Sequence, residues 1–193
     1  LREWGIPARK LFLAYPGIDY DLFDPTRYAS ERQRVLDRLG IGAGRFLYGF
    51  YGRPGFVKGV EHLVRAVPMV REKIPGSVLL LILSRKPASG HTRIRKAIET
   101  LGLEIGRDVL IIDPVPRTEL PAYILACDCV VIPSISEGFG FTCVEASAMQ
   151  RPVVATTAGS LPEVVSGRHI LVRPADPAAL AQGIIDVNAG MYK

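Results

Sequence analysis

Residues 45–84 run RFLYGFYGRPGFVKGVEHLVRAVPMVREKIPGSVLLLILS, and they predict a strand, a helix and a second strand in succession. Arg45–Gly52 and Ser77–Ser84 are apolar runs of strand length, the second without a break. Between them, Val60–Lys73 has helical spacing, with one apolar face formed by Leu63, Val64, Val67 and Val70. An apolar strand, a crossover helix and another apolar strand form a βαβ unit, which predicts a parallel sheet.

The same alternation continues to the end of the chain. Further strands are predicted at Lys10–Tyr15, Asp108–Asp113, Cys129–Pro133, Pro152–Thr156 and Ile170–Val172. Further helices are predicted at Glu31–Leu39, Thr92–Leu101, Thr118–Ala126 with Thr118 as its cap, Phe139–Met149, Ser160–Ser166 and Pro177–Val187. The pattern predicts a doubly wound α/β domain: a mainly parallel sheet with helices on both faces, over residues 45–193. Residues 1–44 are interpreted as a lead-in segment that packs on it. Such sheets bind ligands at the carboxyl ends of their strands.

Composition excludes several classes of protein. Hydrophobic residues make up 48% of the 193 and charged residues 22%, which excludes a disordered or low-complexity chain. The net charge of +5 is compatible with an anionic partner. No apolar run is long enough to span a bilayer. The basic residues are dispersed and no aromatics interleave with them, which disfavours a nucleic-acid binder.

Cysteines and histidines do not indicate a metal or a disulfide framework. The three cysteines are predicted to be buried, reduced thiols of a cytoplasmic protein: Cys127, Cys129 and Cys143. The three histidines are scattered, and no carboxylate cluster stands beside them. No metal site is therefore predicted.

A glycine-rich segment, Gly52-Arg53-Pro54-Gly55-Phe56-Val57-Lys58-Gly59, follows the first strand of the βαβ unit. Two cations beside a tight turn and a helix start could clamp a phosphate. An ordinary surface turn explains the same residues equally well. Because no Ser or Thr follows Lys58, the segment is not a Walker A motif. The spacing of Gly49, Gly52 and Gly55 differs from the dinucleotide fingerprint and disfavours an NAD-dependent dehydrogenase.

The segment after the predicted strand Cys129–Pro133 carries two carboxylates, Glu137 and Glu145, on either side of Gly138-Phe139-Gly140. The glycines are predicted to open a helix whose N–H groups form an anion site. Glu137 could simply be an acidic residue at a helix start, where the helix dipole favours a negative charge. Glu145 is the only acid between Gly138 and Arg151, and a glutamate in such an apolar helix needs a partner or a ligand.

Together these motifs resemble the retaining glycosyltransferases of the GT-B fold, glycosyltransferase family 4 (group 1). Glu137 and Glu145 match the E-x7-E signature of the family, and residues 52–59 resemble its donor-phosphate motif. Further matches, in chain order, are Pro16-Gly17-Ile18-Asp19, Phe23-Asp24-Pro25, Pro152-Val153-Val154-Ala155, Gly159, Pro162-Glu163-Val164-Val165 and Leu171-Val172. Departures from the family pattern are Pro16, Arg151, Ser160 and His169, all outside the donor clamp.

The resemblance implies that the chain is the carboxyl-terminal, Rossmann-like domain that binds a nucleoside diphosphate sugar. The catalytic residues would be Glu137 on the sugar, with Arg53 and Lys58 on the diphosphate. The donor-binding residues would be Gly52, Val115, Gly138, Phe139, Gly140, Phe141, Thr142 and Glu145. Glu145 would hold the ribose, the N–H groups of Gly140, Phe141 and Thr142 would assist the phosphates, and the base would lie near Val115–Arg117. No metal and no other cofactor is implied.

The same resemblance implies that the acceptor is bound by an amino-terminal domain absent from this chain. The 193 residues would then bind donor weakly without transferring sugar, and the full-length protein would be a hexosyltransferase. It would be cytoplasmic, with any peripheral membrane contact made by the absent domain. Two alternatives stay open: a nucleotide-sugar epimerase or phosphorylase-like enzyme of the same fold, and a non-catalytic nucleotide-binding module. The second would leave Glu145 unexplained.

Overall fold

A computed structural model describes residues 4–12 and 14–192. One sheet holds six parallel strands: β1 (Leu47–Gly52), β2 (Val78–Leu83), β3 (Val109–Ile112), β4 (Cys129–Ile132), β5 (Val153–Thr156) and β6 (His169–Val172). Their order is β3-β2-β1-β4-β5-β6. The predicted doubly wound α/β class is confirmed.

In the described part of the chain, seven α-helices cover both faces of the sheet: α1 (Glu31–Arg38), α2 (Val60–Lys73), α3 (Ala88–Thr100), α4 (Leu120–Ala126), α5 (Phe141–Ala148), α6 (Leu161–Val164) and α7 (Pro177–Asn188). The core residues of α2, α3 and α7 form one cluster against the sheet. Those of α1, α4, α5 and α6 belong to a second cluster on the opposite face. The sheet therefore has one hydrophobic core on each side.

Strand β2 explains why this sheet needs two cores. All six of its residues are buried. Val78, Leu80 and Ile82 pack into the cluster of α1, α4, α5 and α6, whereas Leu79, Leu81 and Leu83 pack into the other. Side chains of a strand alternate between faces, so an unbroken apolar run requires cover on both. Each fully buried leucine contributes about 1.5–3 kcal/mol relative to an exposed one.

Some predicted elements differ from the structure. The predicted strand at Lys10–Tyr15 is wrong. Ala8–Lys10 is a 3-10 turn, and residues 11, 12, 14 and 15 pair with no strand of the sheet. Leu13 lies outside the described residues. The segment leads instead to Tyr15, whose ring centroid lies 6.4 Å from that of Phe139, beyond the ends of the strands. Thr118 does not cap α4, because the Pro116 carbonyl accepts from Glu119 and Leu120 and leads the chain into the helix as a turn.

Glycines explain why helices α3 and α5 begin at different residues from those predicted. Helix α3 begins at Ala88, before Thr92, and includes Gly90. A Cβ on Gly90 would lie 1.7 Å from the Pro54 carbonyl oxygen, so this glycine is needed for packing and does not mark a turn. Helix α5 begins at Phe141, because Gly140 has a left-handed φ of 91°.

The lead-in segment shares the core of the domain. The side chain of Phe23 is 1% exposed and belongs to the same cluster as Val35 and Leu36 of α1. Helix α1 packs on α4. No helix in the described parts of the chain combines the length and apolar character that spanning a bilayer requires.

The order of strands determines where ligands can approach. Strand β1 pairs with β2 on one side and with β4 on the other, so the winding of the sheet changes direction between β1 and β4. In open α/β sheets a crevice forms at this point, beyond the carboxyl ends of the strands. The loops that follow β1 and β4 carry the two motifs singled out in the sequence.

Candidate functional site

The loops after β1 and β4 are bonded to each other. The Val57 carbonyl accepts hydrogen bonds from the N–H groups of Ile135, at 2.8 Å, and Ser136, at 3.3 Å. Gly59 has a φ of 65°, and a Cβ there would lie 1.9 Å from the Pro133 carbonyl oxygen. Only glycine permits both this conformation and this close approach. The two loops are therefore one structural unit.

A charged pair joins the same loops. Lys58 Nζ donates to Glu137 Oε2 at 2.7 Å, and the two side chains are 22% and 10% exposed. Ser134 Oγ donates to the same carboxylate oxygen at 3.1 Å. Ser134 is fully buried, and its carbonyl accepts from Thr156 Oγ1 at 2.6 Å. Glu137 is thus held by β4, β5 and the loop after β1.

The backbone around Glu137 leaves no room for larger residues. A Cβ on Gly159 would lie 2.0 Å from the Glu137 carbonyl oxygen. A Cβ on Gly140 would lie 2.7 Å from Leu161 Cδ2, and both glycines have positive φ. Glu137 therefore occupies a fixed position between two segments that pack closely on it.

Helix α5 presents its amino terminus beside this carboxylate. Its cap is Gly140, which offers no side-chain hydrogen bond. Within the described residues, the N–H groups of Gly140, Phe141 and Thr142 donate to no carbonyl or side chain. Free N–H groups and the helix dipole favour an anion here. Arg53, exposed in the loop after β1, makes no ion pair with any described residue.

Glu145 lies one turn further along α5 and is 6% exposed. Its nearest cation is Arg117, whose Nη1 is 3.6 Å from Glu145 Oε1. Burial raises the pKa of Glu145, and Arg117 and the Tyr51 hydroxyl offset this only in part. Tyr51 donates its own hydrogen bond to the Thr142 carbonyl at 2.9 Å. Glu145 is therefore a buried carboxylate with too few hydrogen-bond donors.

Aromatic rings border the loop after β4. Phe139 lies 5.0 Å from Phe141 in an edge-to-face arrangement and 6.4 Å from Tyr15. Phe141 is 49% exposed. Val115, after β3, is partly buried against the core and belongs to the loop that places Arg117 beside Glu145.

The structure brings most of the proposed residues to one edge. Gly52 ends β1, Arg53 and Lys58 follow it, and residues 137–145 follow β4. Glu137 was expected directly before the helix; it lies in the loop, four positions before Phe141, because α5 starts late.

Sequence reasoning missed three side chains that contact the two glutamates, Ser134, Tyr51 and Arg117, and a fourth, Thr156, that holds the Ser134 carbonyl. A pair of polar residues at strand ends, Ser134 after β4 and Thr156 closing β5, is a signal that could have been used. Tyr51 and Arg117 had no such signal, since each reaches its glutamate from a distant part of the chain.

Among the residues with described positions, no three His, Cys, Asp or Glu side chains are grouped as metal ligands would be. The three cysteines are free and buried.

Comparison with known sequences identifies relatives. The sequence profile of a family described as glycosyl transferases group 1 matches residues 45–189. A D-inositol 3-phosphate glycosyltransferase from Xylanimonas cellulosilytica is 35% identical over 187 residues, which cover 94% of this chain and 43% of that protein. The chain therefore spans less than half the length of this curated relative.

Solved structures share the fold. HepE from Anabaena, in complex with UDP-glucose, superposes with a TM-score of 0.80 at 26% identity, over 95% of this chain and 49% of that one. The C-terminal domain of LpcC from Francisella tularensis, a glycosyl transferase group 1 family protein, superposes with a TM-score of 0.67 at 23% identity. That match covers 90% of this chain and 97% of the LpcC domain, and it is a likeness of fold.

Proposed function

The chain belongs to the glycosyl transferases group 1 family, and on that basis we propose that it is the donor-binding domain of a retaining glycosyltransferase. The donor is a nucleoside diphosphate sugar bound between the loops after β1 and β4. Residues outside this chain bind the acceptor. One observation carries the proposal: the Lys58–Glu137 pair, at 2.7 Å, stands beside the uncapped amino terminus of α5.

The diphosphate is held by fixed positive groups. An ammonium group has three N–H donors, and Glu137 takes one from Lys58, which leaves two for phosphate oxygens. Arg53 supplies a second cation and the free N–H groups of α5 supply neutral donors. As the bond between sugar and diphosphate breaks, negative charge grows on the leaving group. Cations already in place stabilise that charge without reorganisation.

The two glutamates bind neutral hydroxyl groups. Glu145 is buried and short of donors, and a ribose diol supplies two O–H groups that a carboxylate can accept. Glu137 is held by Lys58 and Ser134 through one oxygen, Oε2. Its other oxygen accepts from hydroxyls of the sugar. The base lies along the loop of Val115.

We take UDP as the first candidate for the nucleotide. HepE, 26% identical to this chain, has been solved with UDP-glucose. GDP and ADP test whether the site distinguishes bases. The D-inositol 3-phosphate named for the Xylanimonas relative is a candidate acceptor for the full-length protein.

Calorimetric titration with UDP in EDTA tests the clamp. We expect one site per chain, weakened about tenfold or more by Lys58→Ala, because a charge-assisted contact to phosphate is lost. In the full-length enzyme the same change lowers turnover about 100-fold, as removal of a transition-state charge contact does.

Lys73→Ala is the matched control, since Lys73 ends α2 near the amino ends of the strands, away from the donor loops, and its side chain is 62% exposed. It should leave UDP binding unchanged. Equal affinities of the wild type and the Lys58→Ala variant would overturn the clamp. Failure of UDP, GDP and ADP to bind the full-length protein would overturn the donor proposal.

A further inference from the structure

A second cavity lies outside the proposed donor site. It is a groove of about 690 Å³ lined mainly by α2 and α3, with Phe56, Ile135 and Ala175 from adjoining loops. A groove of this volume accommodates a small molecule. None of the residues assigned to the donor lines it.

The groove exposes apolar side chains. Phe56 is 64% exposed and Leu101 is 37% exposed. Ala97 of α3 and Ile135 add further apolar surface to its lining. Contiguous apolar surface that remains accessible in a concave site indicates a partner with an apolar part.

The same groove carries unpaired positive charge. Arg65 and Lys96 line it, and neither forms an ion pair with any residue that the structure describes. Arg93 is compensated by Glu61. The ring of His62 also lines the groove, and its Nδ1 is buried without a hydrogen-bond partner in the described chain. The groove therefore combines two uncompensated cations with an unsatisfied ring nitrogen.

The groove adjoins the donor loop. Phe56 begins the turn that ends at Lys58, and the Ile135 N–H is bonded to the Val57 carbonyl inside that turn. A molecule that packs on Phe56 and Ile135 contacts the unit that positions the Lys58–Glu137 pair. Occupancy of the groove can thus influence the clamp without overlapping it.

We propose that this groove is a second ligand site, for a small amphipathic anion with an apolar body and one phosphate head group. The body packs on Phe56 and Leu101, and the head group lies between Arg65 and Lys96. This site is distinct from the donor site and does not depend on the nucleotide assignment.

The probe is 1-naphthyl phosphate, which has both parts. Titration by calorimetry, at about 0.15 M salt to screen remote charges, should show one groove site with and without UDP. Lys96→Glu and Arg65→Glu should each weaken it about tenfold or more. Inorganic phosphate should bind at least about tenfold more weakly than the probe, because it lacks the apolar body.

Arg95→Glu is the matched control. Arg95 lies on α3 beside Lys96, is exposed and does not line the groove. It should change the affinity by less than about twofold. Circular dichroism checks that each variant is folded.

Three results would overturn the proposal. One is no binding of the probe at about 1 mM. Another is an equal loss of affinity in the Arg95→Glu and Lys96→Glu variants. The third is binding that UDP abolishes and Lys96→Glu leaves intact, which would assign the probe to the donor site. Failure of UDP to bind would leave the groove result standing.

Discussion

Two buried carboxylates at opposite ends of the sheet, Asp108 and Glu145, differ in how fully their oxygens are hydrogen-bonded. At the amino ends of the strands, Asp108 is 1% exposed, forms an ion pair with Arg71 and accepts hydrogen bonds from Arg107 and the Glu104 N–H. Asp128, before β4, accepts from the Leu47 N–H at 2.8 Å and from Arg32 at 2.7 Å. Asp108 and Asp128 each have partners for both carboxylate oxygens.

At the carboxyl ends, Glu145 is 6% exposed and its nearest cation is 3.6 Å away. The difference appears in the pKa values. Hydrogen bonding to Arg107 lowers the pKa of Asp108, whereas burial raises that of Glu145. Removing one partner from a fully paired buried charge destabilises the fold. A buried charge without partners costs stability and is positioned for a ligand.

The largest expected effect is a loss of stability when the fully paired carboxylate of Asp108 is replaced. Asp108→Asn leaves Arg71 and Arg107 without their shared anion, and breaking such a pair costs about 3 kcal/mol. Urea denaturation should show this loss. UDP binding by the folded variant should stay as in the wild type.

Asp113→Asn is the control for this change. Asp113 pairs with Arg85, but its side chain is 72% exposed, so the loss should stay below about 1 kcal/mol. Equal losses in the two variants would remove the distinction between buried and exposed carboxylates.

A smaller effect of opposite sign, a gain in stability, is expected when Glu145 is replaced. Glu145→Gln removes a poorly solvated charge, so the melting temperature should rise by about 2–4 °C. UDP affinity should fall about tenfold, since an amide accepts from a ribose diol less well than a carboxylate does. Calorimetry and thermal denaturation measure the two quantities.

Glu99→Gln, on the exposed side of α3, is the matched control and should change neither quantity. A Glu145→Gln variant that lost both stability and affinity would show that Glu145 supports the fold and is not held in readiness for a ligand.

The smallest effect is a pH dependence with opposite signs at the two ends. The lowered pKa of Asp108 gives stability that is present above its ordinary value near 3.8 and is lost as the pH falls. The raised pKa of Glu145 lowers the free energy of unfolding, and this penalty appears as the pH rises above the ordinary value of 4.5 for a glutamate.

Unfolding free energies between about pH 3 and pH 7 test both signs. The gap between the wild type and Asp108→Asn should close towards acid pH. The stability advantage of Glu145→Gln should also vanish there, because Glu145 is then protonated. A constant advantage at every pH would contradict the assignment of burial as the cause.

Local patterns predicted most of the fold. Helix α2 begins and ends where expected, at Val60 and Lys73, because its apolar face and the following Pro75-Gly76 are both local signals. The strand expected at Lys10–Tyr15 is wrong because Tyr15 lies beside Phe139, beyond the ends of the strands, and not along an edge strand. A local apolar pattern does not show whether an edge strand lies beside it.

The sequence motifs of the candidate site were predicted, but the side chains that contact those motifs from other parts of the chain were not. Glu137, Glu145 and Lys58 stood out by spacing and isolation. Arg117 reaches Glu145 from after β3, and Thr156 reaches the Ser134 carbonyl from β5. These contacts depend on the order of strands in the sheet, which residue types and spacing do not show.

The pairing of β1 with β4 also sets an order of assembly. Strands β1, β2 and β3 pair with sequence neighbours, and so do β4, β5 and β6. Within the described sheet, the two halves are joined by the pairing of Tyr48 and Gly49 with Cys129 and Val130. Contacts between distant residues have the highest closure entropy and form slowly. The loops after β1 and β4 meet across this junction, so nucleotide affinity should develop in the last step of folding, and UDP should slow unfolding of the finished sheet without speeding formation of either half.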